Sequence, residues 1–497
     1  MKMISSIHVF VVFGMCFLPG SLMAKGADSL LRQDEQAKKF HPVQYFLRQD
    51  IFWHAAYPFL MDQEKAEFYR ASLNYSSGEG NLVASLMPES FRNIHFYSQS
   101  GKQLGNWSFQ GDFQYTRELE QVRPFLMQSM ETSLHPYLLA QEQTSPWSGD
   151  KVRISLSGNS ARYLQEKLGN FFRVNYQVET FAMDAEPRPL YNKNRYEVQV
   201  GQSIRPHRST ELGAAATFSR SNEENQIGAF AVQEFSLIFM RGLNTFSRNA
   251  FQSFTRNQFI EESAFQLYGR HTFANKTSVF LQFSNGILSA NLRDGIAFPV
   301  DAGSSRAGKF SMESGLFIPL EQGDYQQHFS WEILNGTSMD PVFEAVNFLY
   351  RTQRIEGVHT FNVYRSNSIW ELRWASIKQR DEDFAAESLR SFSSLYLLAS
   401  NSFALIDRKH FSIFLRPGLG VFMPQPGIFP ELSDGISQMM HGPDRQFYQS
   451  NHLEAKLSSW FLLRSPKESV KLGFDYTLKS QNIQQFSIFQ LNLSLII

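Results

Sequence analysis

Gln485-Phe486-Ser487-Ile488-Phe489-Gln490-Leu491-Asn492-Leu493-Ser494-Leu495-Ile496-Ile497 is the last stretch of the chain. From Phe489 onward Leu491, Leu493, Leu495 and Ile497 are apolar, and Gln490, Asn492 and Ser494 between them are polar. Successive side chains of a strand point to opposite faces, so this segment has one oily face and one wet face. A soluble domain covers such an oily face with a second sheet, whereas in a membrane barrel lipid covers it. The choice turns on how far the pattern recurs.

It recurs throughout. In Trp107-Ser108-Phe109-Gln110-Gly111-Asp112-Phe113-Gln114-Tyr115-Thr116 every odd residue except Gly111 is aromatic and every even one is polar. Phe172 to Glu179, Arg195 to Val200, Lys151 to Ser157, Trp370 to Trp374 and Val470 to Tyr476 repeat the alternation. Each segment is expected to run about ten residues, the length of a tilted strand that crosses a bilayer. The wet faces carry Arg153, Arg173, Glu179, Arg195, Glu197, Glu371 and Arg373, which are expected to face the lumen.

A soluble sandwich or propeller gives the same alternation, and connection lengths separate the readings. Short connections at Ala274-Asn275-Lys276, Glu321 to Asp324, Ser366-Asn367, Asp407-Arg408-Lys409 and Ser465 to Glu468 alternate with long ones. The long ones are Gly286 to Arg306, Gly336 to Gly357, Arg380 to Ser388 and Met423 to Ser450. Tight periplasmic turns and long extracellular loops produce this parity. The expected fold is an all-β transmembrane antiparallel barrel of about 16 strands (range roughly 14 to 18), with the last strand running inward and pairing with the first.

Composition agrees. Aromatic residues make up 14% of the 497 residues, yet mean hydropathy is −0.31, as alternation produces. No apolar run beyond the N-terminus approaches the length of about 18 residues that a membrane helix needs. Lys plus Arg and Asp plus Glu are 47 each, so no net field attracts nucleic acid. Residues 1–24 read as an export signal, with Lys2, an apolar Ile4 to Leu18, the break Pro19-Gly20 and a cleavage site before Lys25. Residues 25–64 form an N-terminal segment, either a periplasmic arm, a plug or a loose lead-in, and 65–497 the barrel. Cys16 is the only cysteine, so the exported chain would have no disulfide and no thiolate metal site.

Chemistry-bearing motifs are sparse. Asn451-His452 is followed by Glu454 rather than by a serine at strand spacing, so an outer-membrane phospholipase pattern is not met. The 12 histidines form no metal-ligand spacing, and neither catalytic residues nor a cofactor are expected. Arg241, Arg248 and Arg256 alternate with Phe246, Phe251, Phe254 and Phe259. Arg241, Arg248, Phe251, Phe254 and Arg256 are candidate ligand-binding residues, since guanidinium forks and aromatic planes suit a sugar, peptide or anionic solute. The other reading is that the aromatics anchor the loop to the rim or fold it into the mouth.

The stretch from Ile94 to Pro206 resembles a Bacteroidetes family of outer-membrane β-barrel proteins of unknown function. The resembling features are Gly111-Asp112-Phe113-Gln114-Tyr115, His135-Pro136-Tyr137, Phe171 to Tyr176, Glu186-Pro187-Arg188-Pro189 and the strand ending at Gly201. Glu186 stands where the pattern has aspartate, and Ile497 replaces a terminal aromatic residue. The resemblance implies a surface-exposed outer-membrane barrel, often encoded near TonB-dependent receptors, with no known activity.

These features predict an outer-membrane protein of a Gram-negative bacterium that is a transport or uptake component, either a channel or an accessory to a partner transporter. Its expected partners are outer-membrane lipid, the barrel-assembly machinery and, through the resemblance, a TonB-dependent receptor. The alternatives are a non-conducting surface-binding or structural barrel, an outer-membrane enzyme acting on lipid or glycan, and a soluble secreted β-protein.

Overall fold

The computed structural model describes residues 68–81, 88–121, 136–140, 146–160, 167–183, 188–228, 235–251, 253–295, 297–364, 366–408, 410–464, 469–481 and 484–496. The expected N-terminal segment and Ile497 lie outside them.

The strands begin with β1 (Phe68–Gly80), β2 (Ser90–Leu104), β3 (Trp107–Gln121), β4 (Leu139–Ala140), β5 (Pro146–Ser160), β6 (Leu168–Met183) and β7 (Arg188–His207). They continue as β8 (Thr210–Gly228), β9 (Phe235–Met240), β10 (Phe246–Phe251), β11 (Ser253–Thr272), β12 (Ser278–Asp294), β13 (Val300–Leu320) and β14 (Gly323–Asp340). The last are β15 (Ala345–Val363), β16 (Ser368–Asp383), β17 (Ser388–Asp407), β18 (Phe411–Ile428), β19 (His452–Arg464), β20 (Ser469–Gln481) and β21 (Gln484–Ile496). Helix α1 (Gly435–Gln449) separates β18 from β19.

Among the described residues, 18 strands form one antiparallel sheet, with β4, β9 and β10 in a separate three-stranded sheet. Sequential barrel strands pair, β8 pairs β11, and β1 pairs β21 from Arg70 opposite Ile496 to Gly80 opposite Phe486. The sheet is therefore closed and has no free edge, which removes the unpaired backbone groups that hydrocarbon does not tolerate.

The two faces follow the sequence alternation. Leu212, Leu267, Phe283, Leu372, Leu457 and Leu493 are large, apolar and exposed on the outer wall. Tyr325, Phe361 and Trp370 stand opposite one another on the same face near the rim of tight turns, with Tyr325 and Phe361 ring centroids 4.6 Å apart. Trp374 Nε1 donates to His359 Nε2 at 3.2 Å, so the 2.8 Å contact between His359 Nδ1 and the Tyr325 hydroxyl is donated by the ring N–H. A belt of this kind, with aromatic rims, is the outer surface of a membrane barrel.

Connection lengths depart from expectation. Barrel strands run 13 to 21 residues, the longest about twice what a bilayer needs. Three of the expected long loops contract accordingly. Gly286 to Arg306 becomes the link between Asp294 and Val300, Gly336 to Gly357 that between Asp340 and Ala345, and Arg380 to Ser388 that between Asp383 and Ser388. The alternation persists through them, but its outer face turns from apolar to charged. On β16 the outward sequence Trp370, Leu372, Trp374, Ser376, Lys378, Arg380, Glu382 shows the change. Outer residues above the lipid belt meet water, so polarity there carries no signal of a loop.

Candidate functional site

The long connections that remain, 122–145, 229–252 and 429–451, all leave the same end of the barrel, and their described parts meet inside it. β9 pairs β10 through Met240 opposite Phe246 and β4 through Leu139 opposite Phe239. This small sheet packs on the inner wall of β5 to β8. Leu139, Leu237, Ile238, Phe239 and Met240 cluster there with Trp147, Phe181, Met183, Tyr191 and Ile227, and with Met440 of α1. The hairpin tip reaches the wall formed by β12, β13 and β15, where Leu243 is buried with Leu288, Ala307, Phe348 and Tyr350. The cap thus spans the mouth from wall to wall.

Aspartates at the ends of strands that run toward the cap hold it. Asp294, the last residue of β12, accepts Nε (2.7 Å) and Nη2 (2.8 Å) of Arg256, whose Nη1 donates to the Tyr137 carbonyl (3.1 Å). Asp340, the last residue of β14, accepts Arg241 Nη1 at 3.0 and 2.9 Å. Asp383, the last residue of β16, accepts Leu243 N (2.8 Å), Thr245 Oγ1 (3.1 Å) and Asn244 N (3.4 Å) through one oxygen. Gly242 makes this possible, because a Cβ there would overlap the Asp383 carboxylate. Each of the last two aspartates also caps its own tight turn: Asp340 accepts Val342 N at 2.7 Å, and Asp383 accepts Ala385 N at 3.1 Å. Both turns end in a left-handed residue, Glu344 and Glu387, at φ 48°. The sequence carries this as Asp-x-x-x-Glu in both places.

Helix α1 completes the cap. Asp434 is its N-cap, accepting Ser437 N at 2.7 Å, and Ile436, Met439 and Met440 at helical spacing meet the cap cluster. Arg390 of β17 joins the helix to the wall through Asp444 (3.3 Å) and Asp381 (2.6 Å). His441 Nε2 donates to the Leu243 carbonyl at 2.6 Å, and its buried Nδ1 has no hydrogen-bond partner among the described residues. Burial holds the His441 pKa below the ordinary histidine range. The Leu243 bond, Asp444 and Asp381 oppose that shift, and Arg390 adds to it.

Because the docked imidazole stays neutral while a released one takes a proton, cap docking is full above the ordinary pKa of about 6.5 and weakens as pH falls toward the lowered value. Hydrogen exchange over residues 241–245 is therefore expected to accelerate between about pH 7.5 and 5 beyond its intrinsic pH dependence. His441→Gln, which keeps a donor without titrating, is expected to flatten that excess; an unchanged excess would exclude His441 as its source.

Below the cap the inner wall is a ladder of mixed charge. Arg153, Arg173 and Glu179 lie on the face opposite the exposed Ile154, Val174 and Tyr176. Arg173 donates to Asn175 at 3.3 Å and Asn175 to Glu197 at 2.7 Å. Arg195 contacts Glu197 at 3.2 Å and Glu262 at 3.7 Å, and Lys309 reaches Glu262 at 3.8 Å and Glu332 at 3.4 Å. Glu371 receives Arg373 and, at 2.6 Å, Arg416. Glu179 and Lys193 approach to 3.9 Å. The more exposed of these pairs, such as Arg195–Glu197 and Lys309–Glu332, contribute at most about 1 kcal/mol each, whereas Glu179, Lys193 and Glu371 are buried; together they make a polar wall without a field of one sign.

The candidate ligand loop is distributed differently from a solvent-facing grip. Arg241 and Arg256 are engaged with Asp340 and Asp294, and Phe239 packs on Phe251 and Phe254 with centroids 5.5 and 5.1 Å apart. Arg256 also lies over the Phe239 and Phe254 rings. Only Arg248 of the set is exposed. Of the open alternatives, folding into the mouth describes Arg241 and Phe251, whereas Phe254 and Arg256 belong to the barrel wall at the start of β11. His452 Nε2 contacts the Phe447 carbonyl at 2.9 Å, and Glu454 accepts the Tyr396 hydroxyl at 3.0 Å, so that pair is absorbed in packing. Among the described residues no cluster of His, Cys, Asp and Glu could hold a metal ion.

Residues 58–497 match the family described as Family of unknown function (DUF6850). No curated protein matches the chain. Among solved structures it is similar to the alcaligin outer-membrane receptor FauA from Bordetella pertussis, at 10% identity over 86% of this chain and 76% of that chain, with a TM-score of 0.44. It is similar also to the siderophore receptor PiuA from Acinetobacter baumannii, at 6% identity over 86% and 82% of the two chains, TM-score 0.39. For Acinetobacter baumannii OccAB2 the values are 8%, 87%, 97% and 0.36. The barrel assignment rests on the strand pairing described above rather than on these likenesses.

Proposed function

We propose, from the premise that this chain belongs to the DUF6850 family of unknown function, that it is a capped transport barrel of the outer membrane of a Gram-negative bacterium. The observation that carries the reading is the inner wall: mixed-charge pairs from β6 and β7 through β16 and β18 line a barrel of 18 strands. Barrels of about 16 to 18 strands enclose room for an aqueous path. A wall of alternating sign suits polar solutes without selecting strongly for either charge. The tight-turn rim, which also carries the paired ends of β1 and β21, then faces the periplasm and the cap faces the cell surface. The reading includes no catalytic step.

Passage requires the cap to move, and the resemblance to Bacteroidetes barrels suggests the agent, a TonB-dependent receptor acting beside it. Liposomes containing the purified chain are expected to show slow flux of small sugars and amino acids that rises when the cap is released by substitution. Absence of flux from both forms would refute the transport reading. The cap's wall-to-wall packing favours a second reading, a non-conducting barrel whose capped mouth recruits a surface partner. Under it, cross-linking in intact cells captures one protein from the cap end, and neither form conducts.

A further inference from the structure

Above the lipid belt, the outer wall of β15 to β18 carries a polar cleft that neither the cap nor the lumen explains. Strand register places Gln353, Lys378, Ser393 and Gln425 in one outward row and Arg351, Arg380 and Ser391 in the next. These residues line a cleft of about 350 Å³. Arg380 holds Glu382 at 2.6 Å, and Ser393 donates to Gln425 at 2.7 Å. Arg351 and Lys378 are exposed, and neither has an ion pair or side-chain hydrogen bond among the described residues.

Height decides what the cleft can meet. Trp370 lies at the lower aromatic rim, and Lys378 is eight residues further along β16. At about 3.3 Å per residue and a tilt of about 40°, that is about 20 Å above the rim, near the top of an apolar belt about 25 Å tall. Directly below the cations the outward rows are apolar or nearly so, Ile355, Ser376, Leu395 and Met423, then Trp374, Leu397 and Val421. An acyl chain lying on those rows would bring its head group level with Arg351 and Lys378. A cation beside the head-group layer attracts anionic lipid, and guanidinium suits phosphate oxygens in particular.

We propose that Arg351, Lys378 and Arg380 form a binding site for the phosphate of an anionic lipid head group in the leaflet on the cap side. The site rests on the membrane-barrel reading and is independent of whether the lumen conducts. It would fix the rotational setting of the barrel in the bilayer on the flank next to α1.

The test uses the purified full chain in detergent micelles, with phosphatidic acid and phosphatidylcholine as probes in equal amounts and retained lipid counted by native mass spectrometry. The wild type is expected to retain phosphatidic acid in preference, and the double variant Arg351→Gln, Lys378→Gln to lose at least about fivefold of that preference, since each cation near a lipid surface contributes about that factor. Lys309→Gln, which removes a lumen cation, is expected to leave it unchanged. Equal retention of both lipids by the wild type overturns the proposal, and so does equal loss in the Lys309 variant. Displacement of the lipid by millimolar inorganic phosphate would assign the site to the free ion and overturn it as well. A heat-dependent shift in gel mobility, recorded for every variant, reports the barrel separately: its loss in the wild type would count against the barrel reading, not the site. If the double variant alone fails to fold, the wild-type preference and phosphate competition still decide.

Discussion

Arginine in place of Leu267 is expected to remove most of the folded, heat-modifiable form of the protein. Leu267 lies on the outer face of β11 opposite Ala214 and Phe283, 49% exposed, and five residues from the tight-turn end of its strand at Thr272. That puts it near mid-height of the belt, where an outward arginine costs about 2–4 kcal/mol, or about a 30- to 1000-fold shift in the folding equilibrium. Gln266 next to it points inward and donates to no lipid; Gln199 Nε2 reaches its Oε1 at 2.6 Å. Gln266→Arg is expected to cost about 1 kcal/mol or less, the worth of one side-chain hydrogen bond. Urea unfolding in lipid vesicles, read by tryptophan fluorescence and gel mobility, compares the two. Equal tolerance of both substitutions would contradict the assignment of faces.

Combining Arg241→Ala with Asp383→Ala is expected to release the cap and raise solute flux through reconstituted barrels by at least about tenfold. Arg241 is the ion-pair partner of Asp340, whose side chain is fully buried, and breaking a buried pair costs about 3–5 kcal/mol. Asp383 accepts backbone and hydroxyl donors from Leu243, Asn244 and Thr245, and hydrogen bonds to a charged acceptor contribute about 1.5–3 kcal/mol each. Loss of both anchors frees the hairpin tip, while the pairing of the barrel strands remains. Asp383→Asn retains an acceptor oxygen, so an intermediate flux is expected. Flux unchanged in both variants, with barrel mobility intact, would show that the cap does not limit passage.

Leu491 and Leu493, exposed at 40% and 47%, show why the barrel was legible from one strand. A side-chain period of two is a local property of the backbone, and in a barrel every strand meets the same two environments. Repetition of one pattern therefore specifies the sheet, and even the pairing of the last strand with the first follows from the need to leave no edge. The expected long loops contract for a related reason. Asp340-Pro341-Val342-Phe343-Glu344 and Asp383-Phe384-Ala385-Ala386-Glu387 are tight turns, yet the strands beside them are polar on both faces above the belt and read as irregular.

Helix α1 lies within Met423 to Ser450, where the sequence reading expects only a long loop, although Asp434 and the spacing of Ile436, Met439 and Met440 are ordinary helix signals; Gly442 and Pro443 interrupt them.

By itself the sequence determined the architecture, the two faces of each strand and the polar character of the lumen, because these depend on contacts that repeat within a few residues. The tertiary structure decided the cap. Arg241 finds Asp340 across 99 residues, Asn244 reaches Glu431 across 187, and His441 finds Leu243 across 198. Partners so distant in the chain leave no periodic trace; they meet because a closed barrel brings the ends of all its strands to one rim, and only side chains projecting inward there can clamp loops that enter the same mouth.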